Sequence, residues 1–116
     1  MTRINCVPAS ELSRQHLIAE YRELPRVFSL ARVCHDAPAE YTLGKGHVKF
    51  FYNKLLYLAN RQRELVAEMR RRGYYPQFDP QQLHAHWYTI KPELFGDWAP
   101  TAKALQINRD RILERS

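Results

Sequence analysis

Two short stretches hold the residue types from which chemistry can be built: Thr2-Arg3-Ile4-Asn5, and Gln15 to Arg26 with the sequence Gln-His-Leu-Ile-Ala-Glu-Tyr-Arg-Glu-Leu-Pro-Arg. The small side chain of Thr2 suits removal of Met1, which would expose an α-amino group. Such an amine has a reference pKa of about 7.7–8.0, against roughly 10.4 for lysine, so far more of it is neutral and nucleophilic without burial. Neighbouring cations lower its pKa further. Arginines suit phosphates, because the planar fork donates two bonds to one anion. Glu23 is the carboxylate placed to move protons for an attacking amine.

These residues need elements to position them. Residues 1–9 carry Pro8 and no sustained period, and read as an extended arm leading into a helix that Ser10 or Ser13 can cap. At 100° per residue, Leu17, Tyr21, Leu24, Phe28 and Ala31 share one apolar face, while Gln15, Ala19, Arg22 and Arg26 form the opposite stripe. Glu23 and His16 lie on the flank between them. Pro25 lacks an amide hydrogen and predicts a bent helix rather than a break, since the apolar phase continues beyond it. Cys34 to Tyr41 reads as a loop, and Leu43 to His47 as a glycine-bearing turn. A helix is predicted over Val48–Arg72, ending at Gly73. Residues 74–98, rich in aromatics and proline, read as a long connection with a short helical turn around Asp79 to Ala85. Thr101 can cap a last helix reaching Arg115. The expectation is an all-α fold: a compact single domain, residues 1–116, of three principal helices with long irregular connections.

Eighteen Lys and Arg against twelve Asp and Glu give a net charge of +6, which favours a polyanionic partner without specifying one. Eight basic and two acidic residues fall between Lys45 and Arg72, with Arg70, Arg71 and Arg72 at the end of the predicted helix. Cation placement at a negative helix C-terminus accounts for that triplet as well as nucleic-acid binding does. No run approaches the roughly eighteen apolar residues of a membrane helix, and no secretory signal is apparent. The expected location is therefore the cytoplasm. Cys6 and Cys34 make no metal-type spacing and are expected to be free thiols.

An amine, a carboxylate and arginines have a natural joint reaction. The amine attacks the anomeric carbon of a sugar, the base leaves, and the resulting Schiff base permits β-elimination, each step moving protons. On the residues alone, a solvated polar helix face is the commoner explanation of Arg22, Glu23 and Arg26. His47 beside glycines reads either as a phosphate contact or as a structural turn histidine. His35, His84 and His86 have weak metal spacing, and adjacent Cys34 and His35 do not form a thiol pair.

The block Met1-Thr2-Arg3-Ile4-Asn5, Ser10-Glu11-Leu12, Gln15-His16-Leu17, Ala19 to Phe28 and Leu43-Gly44-x-Gly46-His47-Val48-x-Phe50-Phe51-Tyr52-x-Lys54-Leu55 resembles the phage endonuclease V family of pyrimidine-dimer DNA glycosylases. Arg61-Gln62-x-Glu64-Leu65, Arg72-Gly73 and the Phe95-Gly96-Asp97 run continue the resemblance more loosely. It implies an all-helical enzyme that flips a nucleotide out of damaged double-stranded DNA, cleaves the glycosidic bond and nicks the strand through an imine. It also implies Thr2 as nucleophile and Glu23 as the acidic group at the cationic sugar. Arg3, Arg22 and Arg26 would be phosphate and lesion-side contacts, with Gln15, His16 and Gln62 shaping the site. Arg111 and Arg115 resemble basic DNA contacts. No metal and no cofactor are implied, and a monomer associated with the nucleoid through DNA is expected.

Two departures from the phage pattern bear on substrate choice. The loop at 33–42 is shorter, and the sequence reaches Ser116 without an aromatic Trp-Tyr-Lys-Tyr-Tyr segment, so lesion choice is expected to differ more than reaction chemistry. Trp87 and Tyr88 are candidates to stack on bases or to pack the connection. The alternatives carried forward are a glycosylase/lyase for abasic sites or another damaged base, and a DNA-binding module without catalysis.

Overall fold

The computed structural model describes residues 4–33, 41, 47–76 and 94–115. Among them are three α-helices, α1 (Arg14–Val33), α2 (Leu55–Arg71) and α3 (Ala102–Arg115), two short 3₁₀ turns at Ala9–Glu11 and Val48–Phe51, and no strand beyond an isolated bridge. The fold is all-α. The loop and glycine turn between α1 and the second 3₁₀ turn, the expected helical turn at 79–85, and Trp87 and Tyr88 lie outside the described residues, apart from Tyr41 and His47.

Ser13 starts α1. Its hydroxyl accepts the His16 N–H at 3.2 Å and its carbonyl accepts that of Leu17 at 2.9 Å, satisfying first-turn donors that have no intrahelical partner. The apolar stripe points inward as its period requires: Leu17, Leu24, Val27, Phe28 and Ala31 are buried and Tyr21 is half-buried. Gln15, Ala19, Arg22 and Arg26 are exposed on the opposite side.

Pro25 lies inside α1 without ending it. A proline at 25 cannot supply the N–H that the Tyr21 carbonyl would receive four residues on. The side-chain amide of Gln62, reaching across from α2, donates to that carbonyl at 3.1 Å instead. The interruption is thus repaired from a neighbouring helix, and α1 and α2 are joined at the level of Arg22 and Glu23.

The region expected to be one helix over Val48–Arg72 is two pieces. Val48–Phe51 is a 3₁₀ turn, Lys54 leaves helical geometry (φ −129°, ψ 41°), and α2 begins at Leu55. Another backbone occupies the break. Lys54 bridges to Phe95, Gly96 donates to the Asn53 carbonyl at 3.3 Å, and the Gly96 carbonyl accepts the Tyr57 N–H at 3.3 Å. A β-carbon on Gly96 would lie 2.6 Å from the Asn53 oxygen, so this approach needs glycine. The turn also releases Phe50 and Phe51 into an aromatic cluster with Tyr41, His47, Tyr57 and Trp98, with ring centroids 5.0–6.2 Å apart and mostly edge-on.

Gly73 ends α2 as expected, at φ 89°. Its N–H bonds the Arg70 carbonyl at 3.0 Å and that of Tyr74 the Met69 carbonyl at 2.9 Å, the paired bonds of a Schellman cap. The Thr101 hydroxyl accepts the Ala104 N–H at 3.0 Å and opens α3.

Candidate functional site

The N-terminal arm is part of the core. Ile4, Asn5, Cys6, Val7, Ala9 and Leu12 are all buried. A chain segment without a sheet or helix of its own must find other partners for its backbone when it leaves water. Side chains supply many of them here. The Ile4 N–H donates to His47 Nε2 at 2.8 Å, and the Tyr41 hydroxyl to the Ile4 carbonyl at 3.4 Å. Asn108 Oδ1, on α3, accepts both the Cys6 and Val7 N–H groups, at 2.7 and 3.2 Å, while its amide donates to Asn5 Oδ1 at 2.8 Å. Arg61 donates to the Val7 carbonyl at 2.6 Å, and Glu64 accepts the Ala9 N–H at 2.7 Å. Arg72 Nη2 closes the series on the Leu12 carbonyl at 2.8 Å.

Behind this arm sits a buried ion pair. Arg61 meets Glu20 through two bonds, Nε to Oε2 at 2.8 Å and Nη2 to Oε1 at 3.1 Å, and Asn5 Nδ2 adds a third bond to Glu20 Oε1 at 3.0 Å. Both side chains are almost wholly buried. The adjacent carboxylate outweighs the burial cost and pushes the Arg61 pKa above its ordinary value. The Cys6 thiol lies beside this network and is free; burial raises its pKa to about 11, so at neutral pH it is an inert thiol rather than a nucleophile.

The expected site residues fall into three groups. Gln15, His16, Arg22, Glu23 and Arg26 are brought together along the outer side of α1. Arg22 and Gln15 are exposed, and Glu23 lies on the flank with its side chain 29% exposed. Arg26 Nη1 lies 3.1 Å from Glu23 Oε2, and His16 Nδ1 is 3.1 Å from the Ser13 hydroxyl that caps the helix. Gln62 is buried behind α1, tied to Tyr21, with its Oε1 unpartnered among the described residues. On α3, Arg111 is half-buried with Nη1 3.3 Å from Glu114, one turn from Asn108. Thr2, Arg3 and the side chain of Arg115 lie outside the described residues.

The basic triplet at the end of α2 divides. Glu68 receives Arg71 and Arg72, the latter at 2.6 Å, and those bonds hold its carboxyl at about 2. His47 is buried against Tyr41 and Phe51 and accepts a backbone N–H, which is the structural reading of that residue. Lys54 carries a second amine of altered basicity. Its Nζ donates to the Phe50 carbonyl at 2.9 Å and to Asn53 Oδ1 at 2.8 Å, and burial lowers its pKa.

Pattern reading missed Glu20, Arg61 and Asn108, although the signal was present. Each is a polar residue at helical spacing within an apolar stripe: Glu20 between Leu17 and Leu24, Arg61 between Leu58 and Leu65, Asn108 between Ala104 and Ile112. A charge in that register is buried and needs a partner.

Described residues thus define a small helical protein whose first helix presents a carboxylate and arginines along its outer side and whose arm is buried in the core from Ile4 onward. The chain belongs to the pyrimidine dimer DNA glycosylase family, whose model matches residues 1–87. That stretch includes the arm, α1 and α2. It makes the protein one of a family of DNA glycosylases, enzymes that act on DNA. No helix among the described residues is long and apolar enough to cross a membrane.

Proposed function

We propose that the protein is a bifunctional DNA repair glycosylase and abasic-site lyase that acts on damaged duplex DNA, with pyrimidine dimers as substrate, through the α-amine of Thr2 once Met1 is removed. Family membership supports the substrate class. The observation that carries the mechanism is the arm: from Ile4 onward its backbone is held by His47 and by side chains of α2 and α3, and its Asn5 side chain by Glu20 of α1, two residues from the proposed nucleophile. Holding an attacking group in place is worth far more to a reaction than supplying one on a loose tail.

In this reading the amine nitrogen bonds the sugar C1′ as the bond from C1′ to the base nitrogen breaks, and the base leaves with that electron pair and takes up a proton. Transfer of a proton from the amine to the ring oxygen O4′, as the C1′–O4′ bond breaks, opens the sugar and gives an iminium. Removal of a C2′ proton then expels the 3′ phosphate by β-elimination, and water releases the enzyme. Glu23 stabilises the cationic sugar and carries protons. Arg3, Arg22 and Arg26 hold phosphates, His16 and Gln15 border the site, and Gln62 acts from behind by fixing α1. Arg111 and Arg115 add basic contacts from α3. The target nucleotide leaves the stack, at a cost of about a few kcal/mol that is least at a lesion.

Nicking of ultraviolet-irradiated duplex and of duplex with one abasic site tests the proposal. Cleavage of both is expected. Cleavage of the abasic duplex alone would replace dimer specificity with a narrower lyase function. Cleavage of neither by protein that lacks Met1 would leave a DNA-binding module. Glu23→Gln should abolish turnover, ~10²-fold or more for a lost acid–base group, while DNA affinity is retained; full activity in that variant would remove Glu23 from the mechanism.

A further inference from the structure

We infer that His47 is a positioning residue for the N-terminal amine, acting through its hydrogen bond to the Ile4 N–H; this rests on the reading above that the amine is the nucleophile. The bond is 2.8 Å long, spans 43 positions in sequence, and is made by a ring only 2% exposed. A backbone N–H only donates, so Nε2 must be the bare nitrogen and the proton of the neutral ring sits on Nδ1. Edge contacts with Tyr41 at 5.5 Å and Phe51 at 5.8 Å fix the ring plane that aims Nε2 at the arm. Ile4 is the first described residue of the arm, and among the described residues its N–H is the anchored backbone donor nearest to Thr2 in sequence.

Chain geometry gives the expected effect. With Ile4 held, the amine is tethered by Thr2 and Arg3, a reach of at most about 7 Å at roughly 3.5 Å per residue. Without it, the next residue held is Asn5, whose side chain is bonded to Glu20 and Asn108. Three residues then reach about 10 Å. Lengthening the reach by about half enlarges the volume open to the amine by about three-fold and dilutes it at the sugar by the same factor. The Tyr41 bond to the Ile4 carbonyl, at 3.4 Å, makes that figure an upper value.

The test compares His47→Phe, which keeps an aromatic ring but offers no acceptor, with His47→Gln, whose side-chain oxygen reaches about as far as Nε2. Imine formation is measured by borohydride trapping in single turnover at saturating protein on an abasic duplex. Affinity is measured separately on a duplex containing a tetrahydrofuran abasic analogue, which cannot form an imine. The expected result is trapping slowed by up to about three-fold in the Phe variant, unchanged affinity for the analogue, and recovery to near wild-type rate in the Gln variant. A Phe variant that traps at the wild-type rate, one whose affinity falls in step with its rate, or a Gln variant as slow as Phe would each overturn the role of His47. Wild-type protein that gives no adduct would instead overturn the amine reading itself. Should the Phe variant not fold, ligation at Cys6 of a synthetic segment with a backbone ester replacing the Ile4 N–H deletes the same bond. The same slowing is expected there, and an unchanged rate overturns the inference.

Discussion

Replacing Arg61 by Met removes the guanidinium that ties α1, α2 and the arm together. It leaves the Glu20 carboxylate, almost wholly buried, with the Asn5 amide at 3.0 Å, and takes the donor from the Val7 carbonyl. Breaking a buried pair in this way costs about 3–5 kcal/mol, because an uncompensated charge remains. Glu20→Leu strands the guanidinium for a similar ~3–5 kcal/mol. The double variant contains neither charge. It still orphans the Val7 carbonyl and the Asn5 amide, each costing about 1–3 kcal/mol. The cycle therefore predicts a double variant about 2–6 kcal/mol less stable than the parent, well short of the ~6–10 kcal/mol sum of the singles. Urea denaturation of all four proteins measures it, with unchanged m-values as the check on two-state behaviour. Costs that add would refute the coupling, and a loss under ~1 kcal/mol in Arg61→Met would refute the claim that this pair holds the arm.

Other consequences are open to simple measurement. Gln62→Leu should destabilise the protein by about 1–3 kcal/mol by orphaning the Tyr21 carbonyl, and Pro25→Ala should restore much of that loss by supplying the missing helical N–H. Equal effects of Gln62→Leu in the parent and in the Pro25→Ala variant would show that the two residues are not linked. Glu68 has a folded pKa of about 2, below the ordinary carboxylate value of about 4.3. The folded state binds fewer protons there, so the stability Glu68 contributes is present above about pH 4.3 and lost as pH falls toward about 2. Urea midpoints of the parent and Glu68→Gln should converge over that window, and a constant gap would exclude the mechanism.

Much of α1 and α3 was legible because their stripes are regular and their caps are hydroxyl residues at the right register. The α1 face that carries Arg22, Glu23 and Arg26 follows from the same periodicity. Three features resisted pattern reading for physical reasons. The break before α2 is imposed by the backbone of Gly96, some forty residues away in sequence, while the apolar spacing runs on undisturbed. The arm gives no periodic signal because its hydrogen bonds come from side chains rather than from a ladder. Glu20, Arg61 and Asn108 hold that arm, yet charge or polarity in an apolar stripe reads at first as noise. Asn108 also lies beyond the stretch matched to the family, so the hold on the chain start depends on α3 as well.

The central claim is that the chain's first amine does the chemistry, and the direct measurement is to identify the residue that becomes joined to DNA. Protein lacking Met1 is incubated with abasic duplex, reduced with borohydride, digested, and the modified peptide sequenced by mass spectrometry. The account predicts a single adduct on the α-nitrogen of Thr2. An adduct on Lys54, the partly buried amine beside Phe50, or no adduct at all, would contradict it.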